Sequence, residues 1–145
     1  MTDQSTLSLP PLTLAGISVR TSNDRPDQIG ELWQRFYCEN ISGKIPSKKS
    51  DDVYSLYIEY EGDHTKPYTL LIGHPVEADF TPPIGLVKKV IPTAQYAVVP
   101  ASGPQPASLI AAWQKIWSMG LSRTYTGDFD LHSVSGAVDI YVAIG

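Results

Sequence analysis

Hydrophobic and polar residues alternate along several short segments of the chain, and this period of two predicts β-strands. The first segment, LTLAGISVR, covers residues 12–20 and is rich in β-branched and apolar residues. The segments that follow are separated by Gly, Pro, Asp and Ser, which favour turns. The same pattern predicts further strands over 52–60, 68–76, 86–92, 95–101, 129–134 and 137–145.

Two other segments repeat their apolar residues at a helical spacing. Over residues 23–37, Ile29, Leu32, Trp33 and Phe36 fall at i, i+3, i+4 and i+7, which is one face of a helix, and Pro26 suits the first turn. A second helix is predicted over residues 102–120, where a glycine ends the pattern. Its apolar stripe consists of Leu109, Ile110, Trp113, Ile116 and Trp117.

The order of these elements repeats along the chain. Residues 12–76 are predicted as strand, helix, strand, strand, and residues 95–145 show the same order after a leading strand at 86–92. We therefore predict one α+β domain over residues 12–145, with halves at about 12–76 and 86–145, preceded by a flexible tail over residues 1–11. Duplicated β-α-β-β units would place two helices on a largely antiparallel sheet, with a ligand pocket at the junction of the halves.

Composition narrows the classes of protein that fit. The 145 residues carry a formal charge of −4, which argues against a nucleic-acid surface, and the single cysteine excludes an internal disulfide and a zinc site built on several thiolates. Signal-peptide and membrane-spanning patterns are absent, so the expected location is the cytoplasm. The three histidines lack metal-site spacing, and the nucleophile-elbow, dinucleotide and P-loop motifs are missing, so we expect no metal, no cofactor and no enzyme activity.

Aromatic residues are numerous for a chain of this length. Trp33 and Trp113 lie in the middle of the two predicted helices and are candidates for a cavity wall, although helical apolar stripes also fit a core. On the strand at 52–60, alternation places Tyr57 and Glu59 on one face and Tyr54 and Tyr60 on the other. Glu59 fits either a solvated strand residue or a pocket acid beside Tyr57.

Asp130 stands between Phe129 and Leu131 in a predicted strand, where Asp is uncommon. Alternation puts it on the same face as Asp128 and His132. An edge position in solvent would explain it. A buried carboxylate would instead have a raised pKa, and a bound organic cation would restore its charged form. Aromatic walls would add about 0.5–2 kcal/mol for each good cation–π contact.

A series of short motifs resembles the GyrI-like effector-binding domains, which occur in AraC- and MerR-type multidrug regulators and as free-standing proteins. The motifs are IGELWQRF, VYSLYIEYEGD, YTLLIGHPV, IPTAQYAVVPASG, SRTYTGDFDLH and VDIYVAIG, spread over residues 12–145. The resemblance implies two β-α-β-β halves with an aromatic pocket between them. It also implies a pocket acid in the motif DFE, which here is DFD, so the role falls to Asp130, shorter by one methylene, with Glu59 sharing or taking it.

The resemblance further implies that His132 lies on the pocket wall and that Trp33 contacts ligand. We therefore expect a binding module for bulky, hydrophobic, cationic small molecules, with Trp33, Phe36, Tyr57, Tyr68 and Trp113 as its walls. About 11 residues precede the first strand, too few for a helix-turn-helix, so a separate regulator or gyrase is an expected partner rather than DNA or a membrane. An inhibitor of DNA gyrase and a hydrolase of reactive electrophiles remain alternatives, and both a monomer and a homodimer fit.

Overall fold

The chain folds into one antiparallel sheet with two α-helices and a short 3-10 helix. The computed structural model describes residues 5–63, 65–101 and 107–145, and the elements below are those of the described residues. The helices are α1 (Pro26–Cys38) and α2 (Ala107–Ser118), and the 3-10 helix covers Ile41–Lys44. The strands are β1 (Ser5–Leu9), β2 (Leu12–Thr21), β3 (Val53–Ile58), β4 (Tyr68–Pro75), β5 (Val87–Ile91), β6 (Ala94–Pro100), β7 (Asp128–His132) and β8 (Val138–Ile144).

The order of strands in the sheet confirms the duplication. The order is β1-β6-β8-β7-β3-β4-β2-β5, and every pair is antiparallel. The first unit, β2-α1-β3-β4, and the second, β6-α2-β7-β8, therefore arrange their strands alike, as β3-β4-β2 and β7-β8-β6. The two units meet where β3 pairs with β7, with Ser55 opposite Asp130 and Tyr57 opposite Asp128.

The N-terminal segment differs from the prediction of a flexible tail, which is wrong for residues 5–9. Ser5–Leu9 form β1, which pairs with Ala94–Val98 at the edge of β6 that β8 leaves open. The Ser- and Thr-rich composition suggested a loose tail, but backbone pairing to a distant strand does not depend on side-chain polarity. Residues 1–4, and residues 102–106 of the predicted second helix, lie outside the described residues.

Both helices pack on the same face of the sheet, each on its own half. Leu32 and Phe36 of α1 are buried with residues of β2 and β4, whereas Ala112 and Ile116 of α2 are buried with residues of β6 and β8. The central strands β3 and β7 therefore lie between the helices. Because each helix covers the outer strands of its own half, the duplicated topology leaves a gap between the two helices above β3 and β7.

The other face of the sheet carries a further apolar cluster. Phe129 stacks on Tyr141 with ring centroids 4.6 Å apart, and Tyr54 and Tyr96 pack against Phe129. Many aromatic residues are thus core residues remote from the gap between the helices. No helix among the described residues is long and apolar enough to span a membrane.

Candidate functional site

A cavity of about 580 Å³ lies in the gap between α1 and α2. This volume is typical of small-molecule sites. Its wall is mostly apolar and aromatic and includes residues of both helices, of β3 and β4, and of the segments beside them. The lining residues are Asn23, Pro26, Ile29, Gly30, Trp33, Tyr57, Tyr60, Tyr68, Leu109, Ile110, Trp113, Gln114, Trp117 and Arg123.

The two helices place Trp33 and Trp113 on opposite sides of this cavity. In α1, Leu32 and Phe36 face the sheet, and Trp33 is only partly buried because it lies on the flank of that stripe. In α2, Ala112 takes the sheet-facing position, and Trp113 lies beside it toward the cavity. The equivalent positions of the two tryptophans reflect the duplicated architecture.

Tyrosines from β3, from the start of β4 and from the segment after β3 complete the wall. The Tyr57 ring lies edge-on to Trp113 at 5.3 Å and to Tyr68 at 5.5 Å between centroids. Tyr60 continues the series at 5.8 Å from Tyr68. Rings packed in this way hold one another in place, so the wall is preorganised to receive a ligand.

Asp130 is fully buried directly behind this wall. Its two carboxylate oxygens accept hydrogen bonds from the Tyr57 hydroxyl at 2.5 Å and from the Trp113 indole N–H at 3.0 Å. Burial raises the pKa of Asp130 to about 7, and the two hydrogen bonds act in the opposite direction by stabilising the carboxylate. Neutral groups supply both hydrogen bonds, so this carboxylate has no cationic partner among the described residues.

Asp128, two residues earlier on the same face, has a different environment. It accepts hydrogen bonds from the Tyr60 hydroxyl at 2.5 Å, from the Ala143 backbone N–H at 2.7 Å and from Arg123 Nη2 at 2.8 Å. Burial alone would lower the pKa of Arg123, but the charge and hydrogen bond of Asp128 outweigh it and raise that pKa. The Asp128–Arg123 ion pair is thus internally neutralised, whereas Asp130 is not.

Two predicted wall residues lie behind the wall rather than in it. Phe36 is a buried core residue whose ring contacts Trp33 at 6.2 Å between centroids. His132 packs edge-on to Trp33 at 5.1 Å, and burial lowers its pKa. Both side chains therefore support the position of Trp33, and neither is among the described residues that line the cavity.

The structure places Glu59 away from the cavity. Glu59 has a backbone φ of 55°, and its carboxylate accepts hydrogen bonds from Lys89 at 2.9 Å and from Thr69 at 2.7 Å. The left-handed residue interrupts the alternation of β3, so that Tyr60 joins Tyr57 on the cavity wall instead of facing the other side. The expectation that Tyr57 and Glu59 share a pocket face is therefore corrected.

The structure thus brings together Trp33, Tyr57, Tyr68 and Trp113 as wall residues, with Asp130 behind them. Sequence reasoning missed Tyr60 and Trp117 as wall residues, and it missed Arg123 altogether. Asp128 was the sequence signal that could have indicated a buried arginine. It is a second acid on the same strand face as Asp130, and a buried acid needs a cation as its partner.

The described residues contain no group of three or more His, Cys, Asp or Glu side chains placed to hold a metal ion. Neither of the two acids predicted for the pocket is among the described residues that line the cavity: Glu59 lies outside it and Asp130 behind its wall.

Comparison with known proteins relates this architecture to effector-binding proteins. The family described as "Cass2: Integron-associated effector binding protein" matches residues 7–144. YobU of Bacillus subtilis (strain 168), named as a candidate transcriptional regulator, is 31% identical over 144 residues that cover 90% of each chain.

Solved structures show the same fold. The integron cassette protein VCH_CASS2 of Vibrio cholerae superposes with a TM-score of 0.79 at 25% identity, covering 98% of this chain and 95% of that one. SAV2435 bound to tetraphenylphosphonium superposes with a TM-score of 0.78 at 18% identity, covering 99% and 94%. The resemblance to effector-binding domains drawn from the sequence motifs is confirmed.

Proposed function

Because the chain belongs to the Cass2 family of integron-associated effector-binding proteins, we propose that it binds bulky, hydrophobic organic cations in the cavity between α1 and α2. The observation that carries the proposal is Asp130, a fully buried carboxylate placed directly behind an aromatic wall, for which the described part of the chain supplies no cationic partner. By binding such cations, the protein acts as a sensor of these compounds or sequesters them.

A cation in the cavity stabilises the ionised form of Asp130, which burial destabilises. The ionised carboxylate is penalised by burial, and a positive charge placed across the Tyr57 and Trp113 rings stabilises it. The carboxylate in turn draws the Tyr57 hydroxyl and the Trp113 N–H toward itself. The polar edges of these groups are thus occupied, and their ring surfaces are left for the ligand.

The aromatic wall favours the same class of ligand. Ring faces attract cations, and desolvated contacts of this kind contribute up to about 2 kcal/mol each. The rest of the lining, including Ile29, Leu109 and Ile110, suits a hydrophobic body attached to the charge. The tetraphenylphosphonium bound to SAV2435, a protein of the same fold, is a ligand of this type.

The proposal is tested by changing the charge of the protein and of the ligand separately. We compare the wild-type protein with Asp130→Asn, each titrated with cationic tetraphenylphosphonium and with neutral triphenylphosphine oxide, following tryptophan fluorescence. Removing the carboxylate should weaken binding of the cation by about tenfold, a typical effect of one charge pair in a partly buried site. Binding of the neutral compound should be nearly unchanged.

Asp130→Asn is a suitable variant because its amide can keep the hydrogen bond from Trp113. The Tyr57 hydroxyl can then turn its proton toward the nearby Ser55 Oγ, 3.3 Å away. Unaltered near-ultraviolet circular dichroism would verify the fold. Equal weakening for both ligands would contradict a charge-specific role of Asp130.

A further inference from the structure

Arg123 is a charged residue of the cavity that the proposed function does not use. It lines the cavity, yet only 6% of its side chain is exposed. Its guanidinium lies over the Tyr125 ring at 4.4 Å and near the Trp113 ring at 5.7 Å. The ion pair with Asp128 and these two rings fix the guanidinium at the cavity boundary.

Most of the hydrogen-bonding capacity of this guanidinium is unused. Nη2 donates to Asp128, but Nε and Nη1 are buried and have no acceptor among the described residues. A buried donor without a partner typically costs about 1–3 kcal/mol, and more if it is charged. An acceptor that reaches these nitrogens from the cavity, after a small shift of the guanidinium or of the Tyr125 ring, would remove this cost.

The surroundings of Arg123 select the kind of acceptor. Asp128 already neutralises its positive charge, and Asp130 lies two residues further along the same strand face. A second carboxylate brought in by a ligand would be repelled by these two acids. A neutral carbonyl oxygen, as in an ester, amide or ketone, takes the hydrogen bond without that repulsion.

We propose that Arg123 is a specificity-determining residue of the cavity, which selects organic cations that also carry a neutral carbonyl oxygen. The inference rests on the proposed cation binding and extends it, since it adds one direct hydrogen bond to the ligand, from Arg123, to the attraction that Asp130 exerts from behind the wall. The positive charge of the ligand is stabilised by Asp130 through the aromatic wall, and its carbonyl oxygen accepts a hydrogen bond from Arg123.

The test uses three dyes that share one cationic xanthene ring system. Tetramethylrosamine has no acceptor on its pendant ring, tetramethylrhodamine methyl ester carries an ortho ester there, and an ortho-sec-butyl rosamine matches the heavy-atom count of the ester without its oxygens. Fluorescence anisotropy gives the dissociation constant of each dye. The ester should bind the wild-type protein about tenfold more tightly than the sec-butyl dye, as expected for a hydrogen bond to a charged donor.

Arg123→Lys is the matched variant, because lysine retains a positive charge against Asp128 and removes the planar set of spare N–H groups. In this variant the ester and the sec-butyl dye should bind equally well. The comparison among dyes on the wild-type protein does not depend on the stability of the variant.

The outcomes separate the two proposals. Equal affinity of the wild-type protein for the ester and the sec-butyl dye would overturn the role of Arg123 and leave the cation site intact. This result is expected if water molecules already accept the hydrogen bonds of the guanidinium. An ester preference that persists in Arg123→Lys would also overturn it. If none of the three dyes binds, the proposed cation site fails, and the role of Arg123 fails with it.

Discussion

At the scale of single residues, the account depends on how two neighbouring acids differ. Asp128 and Asp130 are both fully buried on one strand face. Asp128 has Arg123 as its counter-ion, whereas the partners of Asp130 among the described residues are a hydroxyl and an indole N–H. Because both sites receive good hydrogen bonds, the missing counter-ion is what makes Asp130 responsive to a cation.

The Tyr57 hydroxyl should have a measurable part in this response. Its hydrogen bond lowers the pKa of Asp130, against the larger effect of burial. Tyr57→Phe should therefore raise that pKa further and leave less of the charged form at pH 7, so we expect cation affinity to fall about threefold to tenfold. Titration with tetraphenylphosphonium at pH 7 measures the change.

Tyr60→Phe is the matched control for this substitution. It also removes a hydroxyl at the cavity wall, but that hydroxyl donates to Asp128, which keeps its ion pair with Arg123. The loss of cation affinity should be smaller than for Tyr57→Phe. The reverse order would contradict the assignment of the responsive charge to Asp130.

The sequence revealed part of this residue-scale picture. Asp130 could be singled out because an acid stood between Phe129 and Leu131 in a strand pattern, and Trp33 and Trp113 because each lay in the middle of a helical stripe. The role of Arg123 could not be found in the same way. It precedes β7 in an irregular segment, and a periodic pattern does not indicate where such a side chain points.

At the scale of elements, the end of β3 determines the composition of the cavity wall. Glu59 adopts the left-handed conformation, and Arg20 Nη1 fixes it by donating a hydrogen bond to the Glu59 carbonyl oxygen at 2.5 Å. This single residue inverts the face on which Tyr60 lies. Alternation alone placed Tyr60 on the opposite face, since a period of two presumes an uninterrupted strand.

Substitutions at Glu59 can test this conformation. Glu59→Gly and Glu59→Val both lose the side-chain contacts with Thr69 and Lys89, but only valine disfavours the left-handed backbone. We expect the valine variant to unfold with a free energy lower by about 1–2 kcal/mol than the glycine variant. Urea denaturation measures the difference, and equal stability would show that the backbone conformation at this position is not maintained.

The pairing of elements along the sheet was only partly predictable. The repeated order of strand, helix, strand, strand is visible in the sequence and gives the duplicated unit, because each element has its own local signal. The pairing of β1 with β6 joins Ser5–Leu9 to Ala94–Val98 across most of the chain. A local sequence pattern does not indicate such a long-range pairing. The polar segment at the N-terminus was therefore predicted to be a flexible tail.

At the scale of the whole molecule, the duplication explains why there is a cavity. Each half covers its own strands with one helix, and the strands β3 and β7 at the junction are left between the helices. The cavity is lined from both halves, and the unpaired charge lies on one junction strand while the tyrosine that contacts it lies on the other. Ligand binding and the association of the halves thus involve the same strands.

Binding to such a molecule must be coupled to protonation. Burial raises the pKa of Asp130 to about 7 in the ligand-free protein, so both the protonated and the ionised form are populated near that pH. A cation favours the ionised form and lowers this pKa, so binding releases a proton and cation affinity increases as the pH rises through 7. His132 remains neutral at pH 7, since burial lowers its pKa, and it adds no opposing change.

The most direct test of the account is to count the protons released when tetraphenylphosphonium binds at pH 7. Isothermal titration calorimetry in buffers of different ionisation enthalpy gives this number for the wild-type protein and for Asp130→Asn. We predict the release of a measurable fraction of one proton from the wild-type protein, as follows from a pKa raised to about 7, and none from the variant. Binding without proton release, or with equal release from both proteins, would contradict the claim that the cation is bound through Asp130.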